Sequence, residues 1–224
     1  MKTFYQLLEG VYDPNIFKAF FMAGGPGSGK SYVAGKTTAG LGLKVVNSDD
    51  VFEKYLKDAK LDFKMQAATG QGKERDALRD KAKAVTKKMR DNYVEGRLGL
   101  VIDGTGKDYS KITSQANQLK QIGYDVHMVF INTSLDVALE RNRNRPRTVP
   151  EKITIDSWNK VQKNIGAFQR FFGNKNFVIV DNNEISDNVF DMVGKQVRRM
   201  LSKKVDNPTA KAWIENELRK KRRT

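Results

Sequence analysis

The chain contains no cysteine. That excludes a disulfide framework and every zinc site built on thiolates, and it fits a reducing compartment. No stretch approaches the roughly 20 apolar residues that a membrane helix needs. The N-terminal run MKTFYQLLEGVYDPN is interrupted by Glu9 and Asp13 and is too short and polar for a secretion signal. The expectation is a cytoplasmic protein (host cytoplasm if viral) with no membrane role. Histidine is nearly absent as well. His127 stands alone in an apolar run, where a lone imidazole reads as structural.

What is present is charge of one sign. The 224 residues carry a formal net charge of +15. It is concentrated at the end, where residues 195–224 hold eleven Lys/Arg against Asp206, Glu215 and Glu217, a net +8. A tail of this kind attracts polyanions, nucleic acid being the usual one, unless it is only a solvated helix face. Apolar residues at 39 % still supply a core for one ordinary domain. We read a main domain over 1–204 and a basic tail over 205–224, with no internal repeat.

Apolar runs bounded by glycine or polar residues predict five strands, at 17–23, 44–47, 98–102, 125–131 and 176–180. Between them, helical spacing predicts helices at 30–39, 51–61, 73–95, 111–122, 134–145, 154–172 and 187–203, and a last helix at 209–223. Residues 63–71 read as a connection. Strands alternating with helices imply an α/β fold, a five-stranded parallel sheet covered on both faces. Such sheets bind ligands at the carboxyl ends of their strands. The chemically suggestive residues fall there: the loop 24–31, Asp49, Asp103 and Asp181.

Residues 24–31, GGPGSGKS, fit G-x-x-x-x-G-K-[ST] between a strand and a helix. This is the P-loop NTPase arrangement. Gly25, Gly27 and Gly29 permit backbone angles that turn N–H groups inward, and Ser28 lies among them. The helix that follows adds its positive end. Lys30 is expected to bridge β- and γ-phosphate and Ser31 to ligate Mg²⁺, with Tyr32 counted in the nucleotide site. A second GTGK, at 104–107, lacks the earlier glycine, since Val101 stands there. The run LGLVID ends in Asp103, a candidate for the Mg²⁺ side, with a turn aspartate as the plain alternative. A phosphatase-type DxDGT loop is excluded by the same Val101.

Asn47-Ser48-Asp49-Asp50 closes the second strand on the same rim. A carboxylate there can accept the proton of an attacking hydroxyl. Asp49 is the first choice and Asp50 the reserve, and one of the two is expected to cap the next helix. Arg141, Arg143, Arg145 and Arg147 alternate through RNRNRPR. They read as a lid whose planar guanidinium groups pair with phosphate, with Arg141 and Arg145 on one helix face and Arg147 lifted into a loop by Pro146. Trp158, Phe168 and Phe171 read as core. Trp213 either packs on the domain or stacks on a base.

With these residues in place, the chain resembles the zeta-toxin and polynucleotide-kinase-like branch of P-loop kinases, of phage type, over residues 17–181. GGPGSGKS, VNSDD, VIDGTG, RNRNRPRTVP and IVDN follow one another in that branch's order. The resemblance implies phosphate binding by residues 25–31, with ATP and Mg²⁺ as ligands. It implies Asp49 as the base and one of Arg141, Arg145 or Arg147 on the γ-phosphate. It also implies Asn182 near the adenine. Zeta toxins often carry Glu-Gly-Thr with a following Arg at the third strand. Asp103-Gly104-Thr105-Gly106-Lys107 departs from that nucleotide-sugar pattern. With the basic tail, this favours an acceptor hydroxyl on DNA, RNA or a nucleotide (a 5′-hydroxyl or a base hydroxymethyl). A nucleotide-sugar or small-metabolite kinase and an ATPase-driven nucleic-acid-binding protein are the alternatives.

Overall fold

The segment KAFFMA has no polar interruption after Lys18, and all six residues are buried, as a central strand of a covered sheet requires. This is β1 (Lys18–Ala23) of a computed structural model that describes residues 10–38, 40–63, 72–145, 148–184 and 187–222. The other strands are β2 (Lys44–Val46), β3 (Leu100–Asp103), β4 (Asp125–Asn132) and β5 (Phe177–Asp181). They form one sheet in the order β2-β3-β1-β4-β5, and every pairing is parallel. Among the described residues the helices are α1 (Lys30–Thr38), α2 (Ser48–Asp58), α3 (Gly72–Glu95), α4 (Tyr109–Gln121), α5 (Leu135–Arg143), α6 (Glu151–Phe172), α7 (Asp187–Leu201) and α8 (Pro208–Arg222).

Alternation along β1 divides the core in two. Phe17, Ala19, Phe21 and Ala23 pack with Ile112 and Ala116 of α4 and Val161, Phe168 and Phe172 of α6. Phe20 and Met22 face the other way, onto Val33 of α1 and Val193 and Val197 of α7. A third, smaller cluster joins Phe52 and Leu56 of α2 to Ala82 of α3, which sets that helix pair beside the sheet as its own unit. Trp158 is held by its indole N–H, which donates to the Thr133 carbonyl at 2.9 Å.

Three boundaries differ from the sequence expectation, for local reasons. Helix α2 starts at Ser48 rather than Val51 because Asn47 caps it, accepting from the Asp49 amide at 2.8 Å in an extended conformation. Neither aspartate is the cap. Both sit in the first turn, where the helix dipole favours carboxylates. Helix α6 starts at Glu151, directly after Pro150, whose fixed φ suits a helix entry. Strand β3 extends to Asp103, so this residue is still held by the sheet.

The basic helix α8 is docked on the domain. Ala210 is fully buried, and Trp213 meets the Phe17 ring edge-on at 5.6 Å beneath the Arg97 guanidinium. Phe17 precedes β1, so α8 lies at the amino ends of the strands.

His127 stacks on Phe20 at 4.9 Å, with both ring nitrogens buried and unpartnered. Burial lowers its pKa to about 4, against an ordinary value near 6.5. Between those values the unfolded chain binds a proton that the folded chain does not, so stability falls as pH drops through that window. Urea unfolding at pH 7 and pH 4 should differ by up to roughly 3 kcal/mol on this group's account. That share of the slope should vanish in His127→Leu; an unchanged slope would remove the imidazole from the explanation.

Candidate active site

The chain leaves β1 at Ala23 and turns through residues 24–29 before α1 begins at Lys30. Gly27 has φ 76°, and a Cβ there would lie 2.1 Å from the Ala138 carbonyl oxygen of α5. Gly29 has φ 82°, and its Cβ would meet the Asn182 amide nitrogen at 2.5 Å. The loop is therefore pressed from behind by α5 and by the segment after β5, which only glycine allows. The Gly24 amide donates to the Thr105 carbonyl at 3.1 Å, joining the loop to the turn after β3.

This loop forms the floor of a cleft of ≈ 670 Å³. Gly25, Gly27, Gly29, Lys30, Ser31 and Tyr32 line it, as the sequence led one to expect. Ser28 does not; it is buried with its hydroxyl unpartnered. Asp49, Asp50 and Asp103 line the same cleft. So do Arg141 and Arg145, on the face the helix spacing assigns to them. Arg143 leaves the cleft to pair with Glu151 at 3.3 Å. Arg147 lies outside the described residues.

Asn182 is placed differently from the expectation. It is buried beneath the loop and does not line the cleft, and its amide donates to the Ser28 carbonyl at 2.8 Å. Its position next to Gly29 makes it a strut for the phosphate loop rather than a wall against a base. Arg141 completes the brace by donating to the Asn182 carbonyl at 2.7 Å and the Asn183 carbonyl at 3.1 Å.

The acid side is crowded. Burial raises the pKa of Asp103, Lys30 opposes the shift and Asp49 adds to it. Burial raises Asp50 too, with Asp103 and Glu53 reinforcing it and the Asn47 hydrogen bond working against it. Oδ1 of Asp103 is buried without a hydrogen-bond partner. A sheet-held carboxylate oxygen with no donor, beside Ser31 and Lys30, suits a hard divalent cation that keeps several waters. Among the described residues no three acidic or histidine side chains form a metal cluster, so such an ion would need phosphate and water to complete its shell.

Sequence reasoning missed the far wall. Arg75 and Arg79 of α3, and Lys107 after β3, also line the cleft. Arg79 pairs with Asp49 at 2.8 Å and covers the Phe52 ring. The signal available was Arg75 and Arg79 at i, i+4 on a helix whose apolar stripe turns toward α2. Asn142 was missed as well. It is buried and grips Val149 through both backbone groups, at 2.7 and 3.1 Å, closing the arginine loop on itself.

A glycine loop with its lysine and serine at the carboxyl ends of a parallel 2-3-1-4-5 sheet, facing strand-end carboxylates and helix arginines, defines a P-loop kinase. The chain belongs to the zeta-toxin family, whose model matches residues 13–191. Solved structures share the fold at low identity. A candidate kinase from Chloroflexus aurantiacus is 14 % identical, with 81 % of this chain and 97 % of that one covered at a TM-score of 0.57. The PezAT toxin–antitoxin structure of Streptococcus pneumoniae is 15 % identical over 83 % of this chain and 87 % of that one, at 0.52. A chain of the Pnkp1/Rnl/Hen1 RNA repair complex is 14 % identical over 69 % and 47 %, also at 0.52. No curated protein matches the sequence. No described helix is long and apolar enough to cross a membrane.

The brace has a testable cost. Asn182→Leu leaves the Ser28 carbonyl unpaired in the interior, a loss of about 1–3 kcal/mol. Thermal melting should fall accordingly and nucleotide affinity with it, measured by calorimetry. Unaltered nucleotide affinity would show that the loop holds its shape without the strut.

Proposed function

We propose that the chain transfers the γ-phosphate of ATP to an acceptor hydroxyl on a nucleic acid or nucleotide. The observation that carries this reading is the placement of Asp49 and Lys30 on one cleft, a carboxylate facing a phosphate-binding ammonium. ATP is bound with its phosphates against the amides of residues 25–31. Lys30 holds the β- and γ-phosphates, and Arg141 and Arg145 pair with oxygens of the transferring group. The acceptor oxygen attacks the γ-phosphorus while its proton passes to Asp49. The bond from that phosphorus to the β-bridging oxygen breaks, and ADP leaves with the electron pair. Ser31 and Asp103 would hold Mg²⁺, which spreads the charge gathering on the phosphate oxygens. Ser31 and Asp103 suit that task because the Asp103 oxygen is already desolvated and unpaired.

Two observations support a nucleic-acid or nucleotide acceptor: the formal charge of +15 and the fold shared with a chain of an RNA repair complex. Another observation favours the zeta-type reading, a nucleotide-sugar or small-metabolite kinase. The basic helix α8 is docked at the amino ends of the strands, away from the cleft, so a small acceptor would need nothing from it.

Labelled ATP offered with 5′-hydroxyl oligonucleotides, hydroxymethylated DNA, nucleosides and nucleotide-sugars separates these readings. Label should pass to a nucleic acid or nucleotide. Transfer to a nucleotide-sugar alone would select the second reading, and DNA- or RNA-stimulated hydrolysis without a labelled acceptor would sink both. Lys30→Ala should abolish transfer. Asp49→Asn should retain ATP binding and lose at least about two orders of magnitude in kcat, the scale of a general base. An equal loss confined to Asp50→Asn would move the role one residue along. EDTA should stop transfer, and excess Mg²⁺ should restore it.

A further inference from the structure

The cleft holds more cations than a triphosphate needs. Lys30, Arg141 and Arg145, with the loop amides, serve the ATP side in the reading above. Arg75 and Arg79 stand on α3 and remain to be accounted for. They are spaced i, i+4, so their side chains rise from one helix face.

Arg75 is only 9 % exposed. One guanidinium nitrogen donates to the Asp62 carbonyl, while Nη2 is buried without a partner. A charged donor left unpaired in the interior is costly. Nothing in the packing of α2 against α3 requires it, because that contact is made by Phe52, Leu56 and Ala82. Arg79 has the opposite problem. Its partner is Asp49, the carboxylate that must take a proton from the acceptor. Both side chains of this pair are more than one third exposed, 37 % and 40 %. An ion pair so open to water contributes little, about 0–1 kcal/mol. It is therefore easily exchanged for a stronger one. A phosphate that accepts two parallel N–H bonds from a guanidinium is such a partner.

We propose that Arg75 and Arg79 form an anion site for a phosphate carried by the acceptor beside its reactive hydroxyl. Occupation of that site draws Arg79 off Asp49 and leaves the carboxylate free to take the proton. This deepens the kinase reading and rests on it. It makes the base available only when an acceptor is seated, which limits transfer to water. Asp50 and Glu53 on α2 and Asp76 on α3 also line the cleft. They oppose an anion at long range, so the site depends on direct bonds from the two guanidinium groups.

The test uses the full chain saturated with a non-hydrolysable ATP analogue and Mg²⁺, titrated with inorganic phosphate in a calorimeter. The expected result is one phosphate bound per chain with Kd about 1 mM, or −4.1 kcal/mol. Arg79→Gln should weaken it at least about tenfold, and Arg79→Lys, a point charge without the fork, by less. Arg75→Gln should act alike. Should its burial cost the variant its fold, the half-exposed Arg79 pair decides the matter. Matched acceptors with and without a phosphate near the hydroxyl give the second readout, since the phosphate-free member should show the higher KM. The proposal is overturned by absent phosphate binding, by phosphate binding that survives Arg79→Gln, or by equal KM for the matched acceptors. An equal fall in analogue affinity would overturn it too, by placing Arg79 on the ATP side. Failure to bind the analogue at all would instead bring down the kinase reading beneath it.

Discussion

The structure depends on holding the loop 24–31 in a shape that a peptide chain does not adopt freely. Backbone amides that converge on a cleft cannot pair with the sheet or with helix carbonyls, so the loop must be stabilised from behind. Three parts of the fold do this. Helix α5 presses the Ala138 carbonyl against Gly27, Asn182 bonds to the Ser28 carbonyl, and Arg141 ties itself to the backbone at 182 and 183. These supports come from beyond β4 and β5, more than a hundred residues from the loop along the chain. The strand order explains how they arrive, because β1 lies next to β4, and β4 next to β5. A parallel sheet delivers the ends of neighbouring strands to one rim, and the rim is where the loop needs partners.

The same rim sets the electrostatics. Asp49, Asp50 and Asp103 would repel one another in isolation, and the raised pKa values of Asp50 and Asp103 record that strain together with burial. Lys30 relieves part of it at Asp103, and Arg79 neutralises Asp49. The cleft is thus poised between an ion-paired resting arrangement and one in which a nucleotide and a cation take over the pairing. In a site of mixed exposure the resting pairs are weak, so their exchange is not a large barrier. Buried Oδ1 of Asp103 is the exception. With no donor from the protein, it gains most from a cation.

Much of this was legible in the sequence because the informative features are local. GGPGSGKS sits between an apolar run and a helix, and the family match confirms the kinase class that this pattern announces. The five strands were readable because each is a short apolar run ended by glycine or a polar residue, as in FKAFFMAGG and LGLVIDG. The placement of Asp49 and Asp103 on one rim followed from their both ending parallel strands. What escaped were properties of pairs distant in sequence. Asn182 looked like a ligand because it follows the last strand, but its orientation is decided by Gly29 and Ser28, some 150 residues earlier. Arg79 looked like a helix-surface charge, and only the packing of α3 on α2 shows that it faces Asp49. Asn47 was overlooked as a cap because the two aspartates after it were stronger candidates by residue type. The register of the first turn settles that choice, and register is a three-dimensional fact.

The basic helix α8 completes the electrostatic picture by its position. Charge counting alone joins the tail to the phosphate chemistry, since both concern polyanions. Trp213 on Phe17 and the buried Ala210 fix the helix at the amino ends of the strands, whereas the phosphate loop is at their carboxyl ends. At physiological salt the field of an exposed charge decays within roughly 8 Å. Arg219, Lys220 and Arg222 therefore contribute little potential inside the cleft, and the charge that acts on phosphate there is supplied by Lys30, Lys107 and the arginines of α3 and α5. A polyanion held by the tail would be concentrated near the protein without being presented to the loop. The chain thus has two cationic surfaces with separate physical roles, one that builds a site through buried and oriented donors, and one that attracts at a distance through unpaired surface charge.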